Sequence, residues 1–187
     1  VGDYIYEDLH EDGVIDEKDR TFLGNPAPKF TFGFNNYFAY KGFDLNIFLN
    51  GSVGNKAVNL IRRTFTDPMR NSNLLKEATD IALIGMHDPE VGDEELSNVY
   101  IVNADRAKVQ RVTTSSANDN NRISSRFIED ASYLRIKNIS LGYTFPRKWL
   151  RHLQIDNIRL YVNIQNLCTI SGYKGYDPEI GALNYNV

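Results

Sequence analysis

The most constraining feature of this sequence is a regular alternation of aromatic residues with small or polar ones over residues 29–40. Successive side chains of a strand point to opposite faces, so a period of two places one set on each face. One face of the predicted strand is therefore aromatic, and the other is mostly small or polar. The aromatic set, interrupted only by Asn36, consists of Phe30, Phe32, Phe34, Phe38 and Tyr40.

A second alternating segment follows directly. Lys41-Gly42 predicts a tight turn, because glycine readily adopts the positive φ that hairpin turns need. Residues 43–53 then alternate again, with Phe48 as the exception. Residues 29–53 thus predict an antiparallel hairpin whose arms are close to the ~9–11 residues that cross a bilayer as tilted strands. A soluble sandwich also alternates, but its core favours Val, Leu and Ile, whereas barrel girdles place aromatics towards the strand ends.

The alternation stops between residues 54 and 131, which predict one long connection. Within it, residues 72–84 predict a short helix with Ser72 or Asn73 as its N-cap and Gly85 as its end. Long, partly ordered insertions between strands are usually functional or flexible, and an extracellular barrel loop has this character. The apolar stripe of the predicted helix consists of Leu74, Leu75, Ala78, Ile81 and Ile84.

Two further strands are predicted over residues 133–145 and 158–165, within a hairpin that covers 132–168. The apolar residues of the first of these strands change parity near Lys137-Asn138, which predicts either a β-bulge or a strand that passes from one environment to another. Between the strands, RKWLRHL predicts a basic helical turn; with Trp149 among cations, it fits either an interfacial anchor or a solvated turn. Four strands joined by short turns at one rim and by a long connection at the other are typical of a membrane β-barrel.

Composition and motifs narrow the possible functions. A net charge of −3 with scattered basic residues gives no reason to expect nucleic acid as a partner. The single cysteine, Cys168, cannot form an intrachain disulfide. The sequence has no HExxH, GxSxG, Walker or GxGxxG pattern, so we expect no enzymatic activity.

The acidic opening, residues 1–28, contains a candidate calcium loop. Oxygen donors at relative positions 1, 3 and 5, glycine at 6, a carbonyl at 7 and an acid at 12 are what such a loop needs. Two departures weaken the match: His10 offers a nitrogen donor, and Asp19 is shorter than the usual Glu. The alternative is a solvated acidic turn without metal. The candidate calcium ligands are Asp8, His10, Asp12, Val14, Asp16 and Asp19.

Three blocks of sequence carry a family resemblance. They are DGVIDEKDRTFLGNPAPKFTFGFNNYFAYKGFDLNIFLNGSVGNK at residues 12–56, RFIEDASYLRIKNISLGYTFPRKWL at 126–150 and RLYVNIQNLCTISGYKGYDPEI at 159–180. In their order and spacing the chain resembles the C-terminal barrel segment of the SusC/RagA-like TonB-dependent outer-membrane transporters of Bacteroidetes.

The resemblance implies an all-β fold: an antiparallel transmembrane β-barrel segment, part of a larger barrel, with a long loop that contains a short helix. It implies location in the outer membrane and contact with its lipid. Residues 1–28 and 54–131 would be extracellular, the turns at the other rim would face the periplasm, and residues 169–187 would form a loop before a final strand that this chain lacks.

The resemblance also implies active import of oligosaccharides or peptides. A SusD-like surface lipoprotein would act as a lid, and TonB would supply energy through an N-terminal part that is absent here. The sequence leaves one alternative open: a soluble β-sandwich binding module with a calcium-stabilised loop. The two readings differ in whether the apolar strand face contacts lipid or packs across a core.

Overall fold

The computed structural model describes residues 1–92, 95–114 and 117–179. The chain divides into two compact units. The loop unit consists of Val1–Leu23, Val58–Ile128 and Lys174–Tyr176. The strand unit consists of Gly24–Ala57, Glu129–Tyr173 and the segment that starts at Asp177. In the part of the chain that the structure describes, no helix is long and apolar enough to cross a membrane.

The secondary structure is mostly β. The strands are β1 (Phe30–Tyr40), β2 (Phe43–Val53), β3 (Lys56–Val58), β4 (Ile84–Met86), β5 (Val99–Ile101), β6 (Ile128–Asp130), β7 (Tyr133–Thr144) and β8 (Arg159–Ser171). The α-helices are α1 (Leu60–Phe65) and α2 (Arg147–Leu150). Short 3₁₀ turns cover Glu17–Asp19, Lys76–Thr79, Leu96–Asn98, Ser125–Phe127 and Arg151–Leu153. Strands β3 and β6 form one two-stranded sheet, and β4 and β5 form another.

The long strands form one antiparallel sheet in the order β1-β2-β7-β8. The hairpin turn lies at Lys41-Gly42, where the sequence predicts it. Both residues have positive φ, at 48° and 89°. The backbone N–H of Thr144 donates to the Gly42 carbonyl at 2.8 Å, which ties this turn to the end of β7. The basic turn predicted after β7 is also present, as α2 and the 3₁₀ turn that follows it.

The predicted bulge in β7 is confirmed. In the pairing of β7 with β2, Phe48 pairs with Asn138 and Leu49 pairs with Ile136, so Lys137 is the extra residue of β7. The pairing of β7 with β8 shifts at the same level, where Asn166 and Leu167 of β8 correspond to Lys137. One extra residue in a strand reverses the parity of every residue after it. The bulge therefore keeps the apolar side chains of β7 on one face, although their parity changes in the sequence.

The predicted helix over Ser72–Ile84 is wrong. Only the 3₁₀ turn at Lys76–Thr79 forms, and Ile84 begins β4. Ile81 instead forms a parallel bridge with Val109, and Ile84 pairs with Ile101. The apolar residues recur at helical spacing, but tertiary pairing overrides that local preference.

The helix that does form in the loop unit, α1, is shorter and starts earlier than the predicted one. Asn59 caps it: its buried side-chain oxygen accepts a hydrogen bond from the Arg62 N–H at 2.9 Å. Arg62 then extends to Glu77, with Nε–Oε2 and Nη2–Oε1 distances of 2.9 and 2.6 Å. Its Nη1 donates to the Arg126 carbonyl at 2.9 Å. One guanidinium thus joins three segments of the loop unit.

We expect Glu77→Gln to weaken the loop unit in a pH-dependent way. Hydrogen bonds from Arg62 lower the pKa of Glu77. Because the folded pKa is depressed, the stabilisation is complete above the ordinary Glu pKa of about 4.3 and is lost as the pH falls through the folded value. Hydrogen exchange of the α1 amides at pH 7 should accelerate about tenfold, since a charge-assisted pair contributes ~1.5 kcal/mol.

At acidic pH, below the folded pKa, the variant and the wild type should exchange alike once intrinsic rates are corrected. Glu90→Gln is the control, because Glu90 is exposed and forms no ion pair with the residues that the structure describes. An acceleration that persists unchanged at low pH would contradict the ionic explanation.

Candidate functional site

One face of the four-stranded sheet is apolar from strand to strand. Phe34 opposes Leu49 across β1 and β2, and Leu141 opposes Val162 across β7 and β8. This face is open to the surroundings, with 56% of Phe34, 62% of Leu160 and 65% of Ile170 exposed. Within the described part of the strand unit, no second sheet covers it. Contiguous exposed apolar surface of this extent marks a membrane or protein interface, and it disfavours the sandwich alternative.

The opposite face of the sheet is polar. On it, Asp44 of β2 and Arg159 of β8 form a bidentate ion pair with N–O distances of 2.5 and 3.1 Å. Gly142 of β7 lies between them, and a Cβ at that position would sit 2.6 Å from both side chains. The glycine therefore allows the pair to span three strands. Phe48, the exception in the alternation, also lies on this face. Its ring packs above Gly33, where a Cβ atom would lie 3.4 Å from the ring.

A buried arginine organises one end of the polar face. Arg135, with 7% of its side chain exposed, donates from Nη2 to Asp177 at 2.6 Å and from Nη1 to Glu179 at 2.5 Å. Its Nε donates to the Thr169 hydroxyl at 2.8 Å. All three donor groups of one guanidinium are used, two of them on carboxylates. We call Arg135, Asp177 and Glu179 the arginine clip.

The arginine clip holds the segment after β8 on the strand unit. The Asp177 carboxylate also accepts the Glu179 backbone N–H at 2.9 Å, which shapes the Asp-Pro-Glu turn. Burial opposes ionisation of Asp177, but this backbone bond and the Arg135 guanidinium outweigh it and lower the pKa of Asp177. Asp177 is thus suited to remain a charged partner of Arg135 at neutral pH.

The candidate calcium residues mostly bind backbone N–H groups of their own loop. Asp8 accepts from Gly13 at 2.7 Å, and Asp19 accepts from Asp16 at 2.8 Å and Leu9 at 2.9 Å. The Asp16 N–H is the chief reason why the pKa of Asp19 is lowered. Among the described residues, no group of three or more His, Cys, Asp or Glu side chains is gathered as a metal site.

The other candidate ligands follow the same pattern. Asp12 accepts from the Val14 N–H at 3.1 Å, and Asp16 accepts from the Lys18 N–H at 2.7 Å. The His10 backbone N–H donates to Asp19 at 3.3 Å. One observation favours a further ligand: Asp8 Oδ1 is shielded from solvent and has no hydrogen-bond partner. Calcium binding therefore stays a prediction.

Comparison with known proteins places this geometry in a family. No protein-family profile matches the chain. TonB-dependent receptor P3 of Formosa agariphila is 34% identical over 185 residues, which is 99% of this chain and 16% of that protein. Over nearly its whole length the chain is homologous to one segment of the TonB-dependent receptors. TonB-dependent receptor SusC of Bacteroides thetaiotaomicron is 26% identical over 94% of the chain and 15% of its own length.

Solved structures agree on the fold of this receptor segment. A chain of the RagAB peptide transporter is 24% identical, with a TM-score of 0.65 over 90% of this segment and 17% of that chain. The same importer in its closed-closed state gives a TM-score of 0.62 over 91% of this segment. The segment spans about one sixth of the relatives that it matches. The antiparallel fold, as part of a larger barrel, is thereby confirmed.

The arginine clip is the feature of this receptor segment that sequence reasoning missed. Arg135 stands on the polar parity of β7 among ordinary strand residues, and its carboxylate partners lie 42 and 44 residues further along the chain. The sequence offered one signal for this pairing, which was an arginine at a strand position where the side chain is buried. Sequence spacing does not reveal such a pairing, because the intervening hairpin brings the groups together.

Proposed function

We propose that this receptor segment forms part of the wall of an outer-membrane active transporter that imports oligosaccharides or peptides. The observation that carries the proposal is the exposed apolar face of a sheet whose other face is polar. Backbone groups inside a bilayer must pair within the protein, so a sheet that faces lipid belongs to a closed barrel. With 11 to 13 residues, the long strands are sufficient to cross.

The two rims of the sheet have different roles in this proposal. The Lys41-Gly42 turn and α2 lie at one rim, which would face the periplasm. The connection between β2 and β7, at the other rim, would face outside and meet a SusD-like surface lipoprotein. TonB would act through another part of the protein. The RagAB neighbours are named as a peptide transporter and importer, which supports peptides as one substrate class, with oligosaccharides as the other.

Fractionation of the source cells tests the proposal. Antibody against residues 126–150 should detect an outer-membrane band several times larger than this chain, because the segment is about one sixth of its relatives. That band should shift on boiling, as closed barrels do. A soluble band of the chain's own size that does not shift would contradict the proposal and favour a soluble binding module.

A matched pair of variants tests which face contacts lipid. Ile164 lies on the apolar face near the middle of β8, and Asn163 lies beside it on the polar face. Arginine on a lipid face at the bilayer midplane costs about 2–4 kcal/mol. Ile164→Arg should therefore reduce the boiling-sensitive band sharply, and Asn163→Arg should leave most of it. Equal effects would contradict the assignment of the faces.

We also propose that calcium orders the acidic loop, with the unpartnered Asp8 oxygen as one ligand. Calcium should slow tryptic cleavage after Lys18 and Arg20 in the intact receptor by about tenfold or more, since a ligand that binds only the ordered loop stabilises it. Asp8→Asn removes the charge but keeps an oxygen for the Gly13 N–H. It should abolish the protection, whereas Glu7→Gln should not. Equal cleavage rates in calcium and in EGTA would contradict the proposal.

A further inference from the structure

An aromatic row crosses the rim of the sheet that carries the short connections. Phe43 and Tyr143, on the apolar face, have ring centroids 4.5 Å apart. Phe145 meets Tyr143 edge-on at 5.0 Å, and Trp149 of α2 follows Phe145 at 6.3 Å. Aromatic side chains of barrels collect where the hydrocarbon region ends and water begins. The row therefore marks this boundary on the strand unit and extends it onto α2.

Three cations flank Trp149 in the sequence, on α2 and the turn that follows it. Arg147, Lys148 and Arg151 line one cavity of about 300 Å³, together with Ile155 and Asp156. All three cations are exposed, and none forms an ion pair with any carboxylate in the described portion of the chain. With one carboxylate among the lining residues, the cavity keeps a surplus of positive charge. Elsewhere in the described part of this unit, Lys56, Arg135 and Arg159 have carboxylate partners, and Lys29 and Lys41 lack an ion pair but stand singly.

We propose that this cavity binds the phosphate of an anionic phospholipid headgroup at the membrane boundary. Guanidinium groups match phosphate oxygens with paired hydrogen bonds, and a lysine adds a point charge. Ile155 in the cavity lining, with the aromatic row that reaches α2 at Trp149, would supply an apolar surface for the glycerol and first acyl carbons. One phospholipid carries both kinds of group in this order, whereas a free phosphate ion would leave the aromatic surface unused. The inference rests on the proposed function, because it requires the sheet to stand in a bilayer.

The experiment uses the intact receptor purified in a neutral detergent. Native mass spectrometry measures retention of phosphatidylglycerol, with phosphatidylcholine and inorganic phosphate as the other probes. The test variant is R147Q/K148Q/R151Q. The matched control, R70Q/K76Q/R106Q, removes three exposed cations from the loop unit. Each sample is first run with and without boiling, so that a failure of the barrel itself is seen separately from a failure to bind lipid.

The wild type and the control should retain phosphatidylglycerol in preference to phosphatidylcholine. The test variant should bind it about a hundredfold more weakly at low salt, since each cation near an anionic surface contributes roughly a factor of five. Retention should fall as salt rises. Single variants R147Q and R151Q should each weaken binding in part, which keeps the test decisive where the triple variant does not fold.

Two results would contradict the inference even though the receptor still shows the boiling shift of a folded barrel. Equal retention by the test variant and the control would show that these cations do not bind the headgroup. Competition by inorganic phosphate with no preference for phosphatidylglycerol over phosphatidylcholine would show a phosphate site without a lipid. A loss of the boiling shift in the wild type would instead count against the proposed function.

Discussion

Replacing Arg135 with glutamine should release the segment that follows β8 and raise hydrogen exchange at residues 172–179 about a hundredfold. Removing one partner of a buried charge pair costs about 3–5 kcal/mol, because the remaining charge loses its partner. The lower end of this range applies here, since 40% of the Glu179 side chain is exposed and can recover hydration. Roughly 3 kcal/mol corresponds to the hundredfold change in exchange.

Two matched variants separate the arginine clip from a general loss of charge. Lys137 also approaches Glu179, but at 3.5 Å and from an exposed position, so Lys137→Gln should change exchange less than about fivefold. Arg135→Lys should fall between the two, because an ammonium group cannot reproduce the forked geometry of a guanidinium. Equal exchange in Arg135→Gln and Lys137→Gln would show that the clip does not hold the segment.

The strands of this receptor segment could be predicted because one physical pattern determines them. Alternation places residues on two faces, and it predicted β1 and β2 to within a residue of where they lie. The same pattern, read with its change of parity, predicted the bulge at Lys137. It underestimated β8, which continues to Ser171, because Asn166 and Leu167 interrupt the alternation where the pairing with β7 shifts.

The loop unit could not be predicted to the same degree, because its structure depends on contacts distant in sequence. Asn98 is an example: its side-chain nitrogen donates to the carbonyls of Asp88 and Gly92, and its oxygen accepts the Asp88 N–H. Asn103 similarly receives the Leu83 N–H and donates to the Ile81 carbonyl. A buried asparagine that replaces regular backbone pairing has no periodicity in the sequence. The predicted helix over 72–84 failed for the same reason.

Replacing Gly51 with alanine should destabilise the β1-β2 hairpin more than the same replacement at a glycine of the sheet that has space for a Cβ atom. Gly51 of β2 opposes Phe32 of β1, and its missing Cβ would overlap that ring. It would also lie 2.7 Å from the Tyr133 carbonyl oxygen, which belongs to the backbone of the adjacent strand. Overpacking of this kind costs about 1–3 kcal/mol. Gly51→Ala should therefore raise exchange of the β1 amides by about tenfold or more.

Gly33 provides the matched control, because its missing Cβ would lie 3.4 Å from the Phe48 ring and no closer to any other atom. Gly33→Ala should be neutral or slightly stabilising, since alanine loses less backbone entropy than glycine in a strand. Adding Phe32→Ala to Gly51→Ala removes the ring contact but leaves the contact with the Tyr133 carbonyl. The double variant should therefore recover only part of the protection. Full recovery would show that the ring alone limits this position, and equal effects of Gly51→Ala and Gly33→Ala would contradict the close approach of β2 and β7.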